Sequence, residues 1–176
     1  MNTRDESEFV VVVVKNRDSG RFDNIVTMLP HDHVRERGLV PEAMVGSLTV
    51  SLGDGGTIEP SNFVENPAFV DYLQRFIAGH AVPTSDDVVA ARQHGETYIY
   101  VLDQRTPTPN GEVRSEDIFG GFEVTEEGVS ADSYRANPKH RILTNSGFFQ
   151  LHPESMIRLR RNLENLSGDQ VSSESS

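Results

Sequence analysis

The run Phe9-Val10-Val11-Val12-Val13-Val14-Lys15 decides the fold class. Consecutive valines lose side-chain freedom in a helix and pack well on a pleated surface, so the segment reads as a β-strand. Because the run is apolar without alternation, it is expected to be a central strand covered on both faces. Turn-forming residues follow at Asn16-Arg17-Asp18-Ser19-Gly20, and Arg21 to Leu29 is strand-like again. The two segments should form a β-hairpin.

Working outward, residues 30–42 read as loop. Gly46 to Leu52 alternates Leu48, Val50 and Leu52 with polar neighbours, the pattern of a half-exposed strand that ends in the turn Gly53-Asp54-Gly55-Gly56. Asn66 and Pro67 then open a helix whose Phe69, Val70, Leu73, Phe76 and Ile77 fall on one face and which Gly79 closes. A second helix is expected over Ser85–His94, with Thr84 or Ser85 as its cap. Tyr98–Leu102 returns as a strand, and Pro107-Thr108-Pro109-Asn110-Gly111 marks a loop. A hairpin at 122–131 and short strands at 141–144 and 148–151 come next, before a last helix that begins at Pro153 and uses Met156, Leu159 and Leu163. Hairpins around a helical pair, with no sustained βαβ alternation, predict an α+β fold: a mostly antiparallel sheet of six or seven strands packed against three helices.

At 176 residues the chain is the size of one domain. The reading assigns residues 9–166 to a single core and treats the polar segments 1–8 and 167–176 as disordered tails. The absence of cysteine removes disulfides, thiolate metal sites and cysteine nucleophiles. No stretch has the length and apolarity of a membrane span or signal core, so a cytoplasmic protein with no membrane partner is expected. A formal net charge of −11 opposes nucleic-acid binding and favours a basic partner.

Three groups of residues are candidates for chemistry. His31-Asp32-His33 follows a predicted strand, and in extended backbone His31 and His33 would point to one side, where two imidazoles can share a metal. Arg135, Lys139 and Arg141 concentrate cations around Asn137-Pro138 in an otherwise acidic chain and form a candidate anion site. His140, between them, is the candidate general acid or base. The serines lie in no nucleophile elbow, and Gly53-Asp54-Gly55-Gly56 lacks the lysine and hydroxyl of a phosphate loop. With no complete catalytic set and no cofactor motif, the sequence favours a non-enzymatic binding or accessory domain acting through protein–protein contact, its oligomeric state open. The alternative is a small hydrolase or transferase for an anionic substrate, built on His140 and the adjacent cations, with metal assistance at His31 and His33.

Overall fold

The computed structural model describes residues 8–53, 56–106 and 111–174, with side chains to residue 166. The fold is α+β, with ten strands in three antiparallel sheets and four α-helices among the described residues. Where the sequence treats residues 9–166 as one stretch, the chain resolves into two compact units, Met1–Asp71 with Met156–Ser176 and, separately, Tyr72–Ser155.

The first unit is built on a four-stranded sheet in the order β1-β2-β3-β4. Strand β1 (Val10–Lys15) pairs along its whole length with β2 (Phe22–Thr27), from Val10 opposite Thr27 to Lys15 opposite Phe22. The turn between them closes through Asn16, whose Oδ1 accepts from the Asp18 and Ser19 amides, and through Gly20 at φ 73°. The expected hairpin is therefore present, but β1 is an edge strand and not a central one. Valine content sets the strand preference, whereas position in the sheet follows from longer-range pairing. It is β2 that lies between two neighbours, with Ile25 and Val26 on opposite faces both buried.

Helix α1 (His31–Arg37) occupies part of the expected loop; it buries no residue and has no side-chain cap, so it leaves no apolar periodicity to read. Strand β3 (Met44–Leu48) begins and ends earlier than expected, and Val50 lies exposed beyond it. At Gly46 a Cβ would run into the Phe63 ring and the Val64 carbonyl of strand β4 (Phe63–Glu65), so the lack of a side chain lets β4 come alongside. Asp54 and Gly55 of the glycine-rich turn lie outside the described residues.

Helix α2 (Pro67–His80) forms as its spacing predicts, with Phe69, Leu73, Phe76 and Ile77 buried. Just before it, the Asn66 side-chain amide donates to the Pro41 and Met44 carbonyls, both at 2.8 Å. The division between the two units falls inside this helix.

In the second unit, Thr84 caps helix α3 (Ser85–Gln93) by accepting from the Asp87 amide at 3.2 Å, while the Asp87 carboxylate accepts from the Thr84 amide at 2.9 Å. The unit's main sheet runs β5 (Tyr98–Leu102), β6 (Ile118–Thr125), β7 (Gly128–Val129), with β8 (Arg135–Ala136) also on β6. Strands β9 (Leu143–Thr144) and β10 (Gly147–Phe148) form a separate short hairpin. The loop expected at 107–110 lies outside the described residues.

Helix α4 (Pro153–Glu174) buries Met156, Leu159 and Leu163 as expected. Its backbone continues through most of the segment read as a C-terminal tail, because extending a nucleated helix costs far less than starting one. Residues 1–7 of the expected N-terminal tail, and 175–176, lie outside the described residues. Among the described residues no helix is long and apolar enough to cross a membrane.

The contact at Gly46 gives a direct test of the first sheet. We expect Gly46→Ala to lower stability by about 1–3 kcal/mol, the usual cost of overpacking, measured as a reduced urea midpoint.

Candidate functional site

The chain leaves β5 through Asp103-Gln104-Arg105, and both charged side chains turn inward. Asp103 is 0% and Arg105 1% exposed at the side chain. An isolated buried charge is costly, so each ionic group must find partners. Arg105 finds one for every N–H. Its Nε donates to Asp117 Oδ1 at 3.0 Å, Nη1 to the Ile142 and Gly147 carbonyls at 2.9 and 3.0 Å, and Nη2 to the Glu116 and Arg141 carbonyls at 3.0 and 2.5 Å.

Asp103 is satisfied on both oxygens. Oδ1 accepts from the Arg105 and Gln150 amides at 3.1 and 2.9 Å, and Oδ2 lies 2.9 Å from His140 Nε2 and 3.5 Å from Arg105 Nε. A carboxylate can only accept, so Nε2 of His140 carries the proton in this contact. The imidazole also stacks on Phe119, with centroids 4.3 Å apart, and its side chain is 3% exposed.

His140 is thus held inside a network that ties five loop segments together, turned away from the cations next to it in sequence. Arg135, Lys139 and Arg141 are all exposed, and no ion pair joins them to one another or to a carboxylate among the described residues. The turn that carries them is fixed by Asn137, whose amide group donates to the Ser115 and Ile118 carbonyls at 2.7 and 2.8 Å.

His31 and His33 differ from expectation for a geometric reason. They lie on α1, where residues two apart are rotated by about 200° around the axis, so they do not share a side. His31 is exposed; His33 is partly buried, and its Nε2 is buried without a hydrogen-bond partner. Among the described residues no three His, Asp or Glu side chains are grouped to hold a metal ion.

A second feature lies on the open face of the β5–β6–β8 sheet. Opposed residues of an antiparallel ladder share a face. Tyr100 pairs with Gly121, which pairs in turn with Arg135; in the next row Tyr98 pairs with Glu123. The Tyr100 ring lies over Gly121, where a Cβ would come within 3.1 Å of Tyr100 Cδ1. Tyr98 and Tyr100 stack with centroids 6.5 Å apart, and Tyr100 remains 60% exposed. A groove of about 590 Å³ follows β5, lined by Glu96, Tyr98, Tyr100, Leu102, Val113 and Ile118 among others. Among the described residues β5 pairs with β6 alone, and the groove runs along its other edge.

The sequence singled out Arg135 but not the tyrosines that share its face across Gly121. The signal was present: Tyr98 and Tyr100 alternate with Ile99 and Val101, which puts both phenols on one face. Nothing comparable marks Asp103, Arg105 and Asp117 in the sequence. Behind the sheet, Tyr134 donates a hydrogen bond to Gln74 Oε1, and burial pushes its phenol well above the usual tyrosine range.

No family model, curated protein or solved structure matches the chain.

Two measurements check these assignments. Removing one partner from a buried ionic network leaves the rest uncompensated, so Arg105→Met should cost about 3–5 kcal/mol in denaturant unfolding, whereas Arg135→Ala, Lys139→Ala and Arg141→Ala should each stay within about 0.5 kcal/mol. For Tyr134, a folded-state pKa raised above the unfolded value of 10.0 means that its contribution to stability is present in full below pH 10 and is lost as pH climbs toward the higher folded value. In an ultraviolet alkaline titration we expect a late phenolate component that Tyr134→Phe removes.

Proposed function

We propose that the protein is a non-enzymatic binding domain that acts through protein–protein contact, taking an extended basic segment of its partner along the free edge of β5. The observation that carries this reading is the row Tyr100–Gly121–Arg135 beside the groove, with Tyr98 and Glu123 in the next row. A free edge offers unpaired backbone groups, and an incoming strand can add to it while its alternate side chains settle on the exposed face.

The chemistry of that face selects the occupant. Tyr98 and Tyr100 present ring faces to which lysine or arginine is attracted, and Glu96 and Glu123 flank Tyr98 with negative charge. The net charge of −11 adds a general pull on basic partners. Arg135 stands on the far side of Gly121 and would orient the segment by pairing with a carboxylate at one end of it.

The reading as a hydrolase or transferase rests on His140, whose Nε2 is engaged by Asp103 and whose ring is covered by Phe119. With its side chain 3% exposed, the imidazole offers a substrate little access.

The test is fluorescence anisotropy with paired synthetic peptides of alternating apolar and charged residues, one set basic and one acidic. We expect the basic set to bind, more weakly as salt rises, and Tyr100→Ala to weaken it by about tenfold, the scale of a lost cation–π and stacking contact. Equal binding of both sets, or none, would overturn the proposal, as would binding that Tyr100→Ala leaves unchanged.

A further inference from the structure

The hydrogen bonding of β5 determines which of its backbone groups an incoming segment can reach. Val124 N–H donates to the Thr97 carbonyl at 2.9 Å, one row beyond the Tyr98–Glu123 pair. Bonded and unbonded pairs alternate along an antiparallel ladder, so Thr97, Ile99 and Val101 turn their backbone groups toward β6, while Tyr98 and Tyr100 turn theirs away from it. Strand β6 agrees: Glu123, opposite Tyr98, sends its N–H the other way, to Ser133 Oγ at 3.0 Å. Among the described residues no backbone partner meets Tyr98 or Tyr100 on that outer side. The open stretch is closed at both ends. At one, the Glu96 N–H donates to the Ala91 carbonyl in the last turn of α3 at 2.9 Å. At the other, the Leu102 carbonyl accepts from the Gln104 side-chain amide at 3.4 Å, and the chain turns inward at Asp103. The two ends also differ in chemistry. Glu96 lines the groove next to Tyr98 and Glu123 stands in the row of Tyr98, whereas Leu102, Val113 and Ile118 make the far end apolar.

We propose that this edge selects a short motif: an extended segment of about five residues whose main chain bonds to Tyr98 and Tyr100, with a lysine or arginine beside Tyr98 and an apolar side chain at its other end, against Leu102, Val113 and Ile118. The inference rests on the reading of β5 as the binding edge, and adds to it the length and spacing of what is bound. Every second residue of an added strand faces the tyrosine side, so the positions beside Tyr98, Tyr100 and Leu102 belong to alternate residues of the segment. A cation beside Tyr98 meets a ring face with Glu96 and Glu123 close by. Placed two residues further on, the same cation enters the row of Tyr100 and Gly121, whose nearest charge is the like charge of Arg135. Placed at the far end, it loses water against apolar groups without gaining a partner. A segment with a central cation therefore meets Arg135, or shifts to bring the cation to Tyr98 and runs past the end that Glu96 and α3 close.

Acetylated and amidated peptides of one composition test this on the full chain: Val-Thr-Val-Thr-Lys, Lys-Thr-Val-Thr-Val and, with the lysine central, Val-Thr-Lys-Thr-Val. The two orders with a terminal lysine serve antiparallel and parallel addition, and the better of them should bind about tenfold tighter than the central isomer in fluorescence anisotropy. Amide hydrogen exchange followed by nuclear magnetic resonance reads the main-chain contacts. In the free chain the Tyr98 and Tyr100 amides should exchange fast and those of Ile99 and Val101 slowly; saturation with the better peptide should slow Tyr98 and Tyr100. Tyr98 and Tyr100 amides already slow in the free chain overturn the inference. So does a central isomer that binds as tightly as the other two, or binding that leaves the Tyr98 and Tyr100 amides as fast as before. In those cases preference for basic over acidic peptides, and dependence on Tyr100, can still hold, so the wider reading survives; failure of every basic peptide to bind removes both.

Discussion

Arg105 commits all five of its donors to groups that belong to segments far apart in sequence: one carboxylate, from Asp117, and the carbonyls of Glu116, Arg141, Ile142 and Gly147. Charge-assisted hydrogen bonds are the stronger kind, and a low local dielectric strengthens them further. A planar, always-charged fork can satisfy that many acceptors at once, where a lysine would reach three at most. The loops after β5, before β6, before β9 and after β10 meet through single backbone hydrogen bonds, among them Asp103 N–H to the Asp117 carbonyl at 2.8 Å, Gln104 N–H to the Gln150 carbonyl at 2.8 Å and Arg141 N–H to the Glu116 carbonyl at 3.2 Å. Arg105, with Asp103 bridging it to His140 and to the Gln150 amide, supplies the common point to which they are tied.

That arrangement also explains the separation of His140 from its sequence neighbours. A side chain two residues from Pro138 and flanked by Lys139 and Arg141 looks, on paper, like the acid–base partner of an anion site. Asn137 fixes the turn so that Lys139 and Arg141 face solvent while His140 enters the interior, stacks on Phe119 and meets Asp103. The same turn thus divides its residues between two environments, stabilising on one side and solvated on the other. Arg135 is the exception among the cations, because β8 sets it in register with Gly121 and so on the face that carries the tyrosines.

Where periodicity is local, the fold was legible. The hairpin of β1 and β2, helices α2, α3 and the start of α4, and strand β5 all follow from residues within a few positions of one another. What could not be read depends on partners distant in sequence. The edge position of β1 is set by the order of pairing, the approach of β4 by the space at Gly46 that the Phe63 ring fills, and α1 has no apolar face to announce it. The site divides in the same way. Tyr98 and Tyr100 announce a common face by alternation, but the inward turn of Asp103 and Arg105 has no local signature, since burial of a charge depends on acceptors more than ten residues away.

Strand β6 shows how these two demands coexist in a few residues. Gly120 and Gly121 are neighbours that face opposite ways, and each lacks a side chain for a different reason. A Cβ on Gly120 would collide with the Arg135 carbonyl and the Tyr134 phenol, so that glycine allows β8 and Tyr134 to close against the strand. A Cβ on Gly121 would press on the edge of the Tyr100 ring and touch the Ile99 carbonyl, so that glycine leaves a shallow floor between a tyrosine and an arginine. The first position serves packing and the second shapes an exposed surface. Because successive residues of a strand alternate between faces, one side of the sheet is fixed by buried contacts while the other stays exposed.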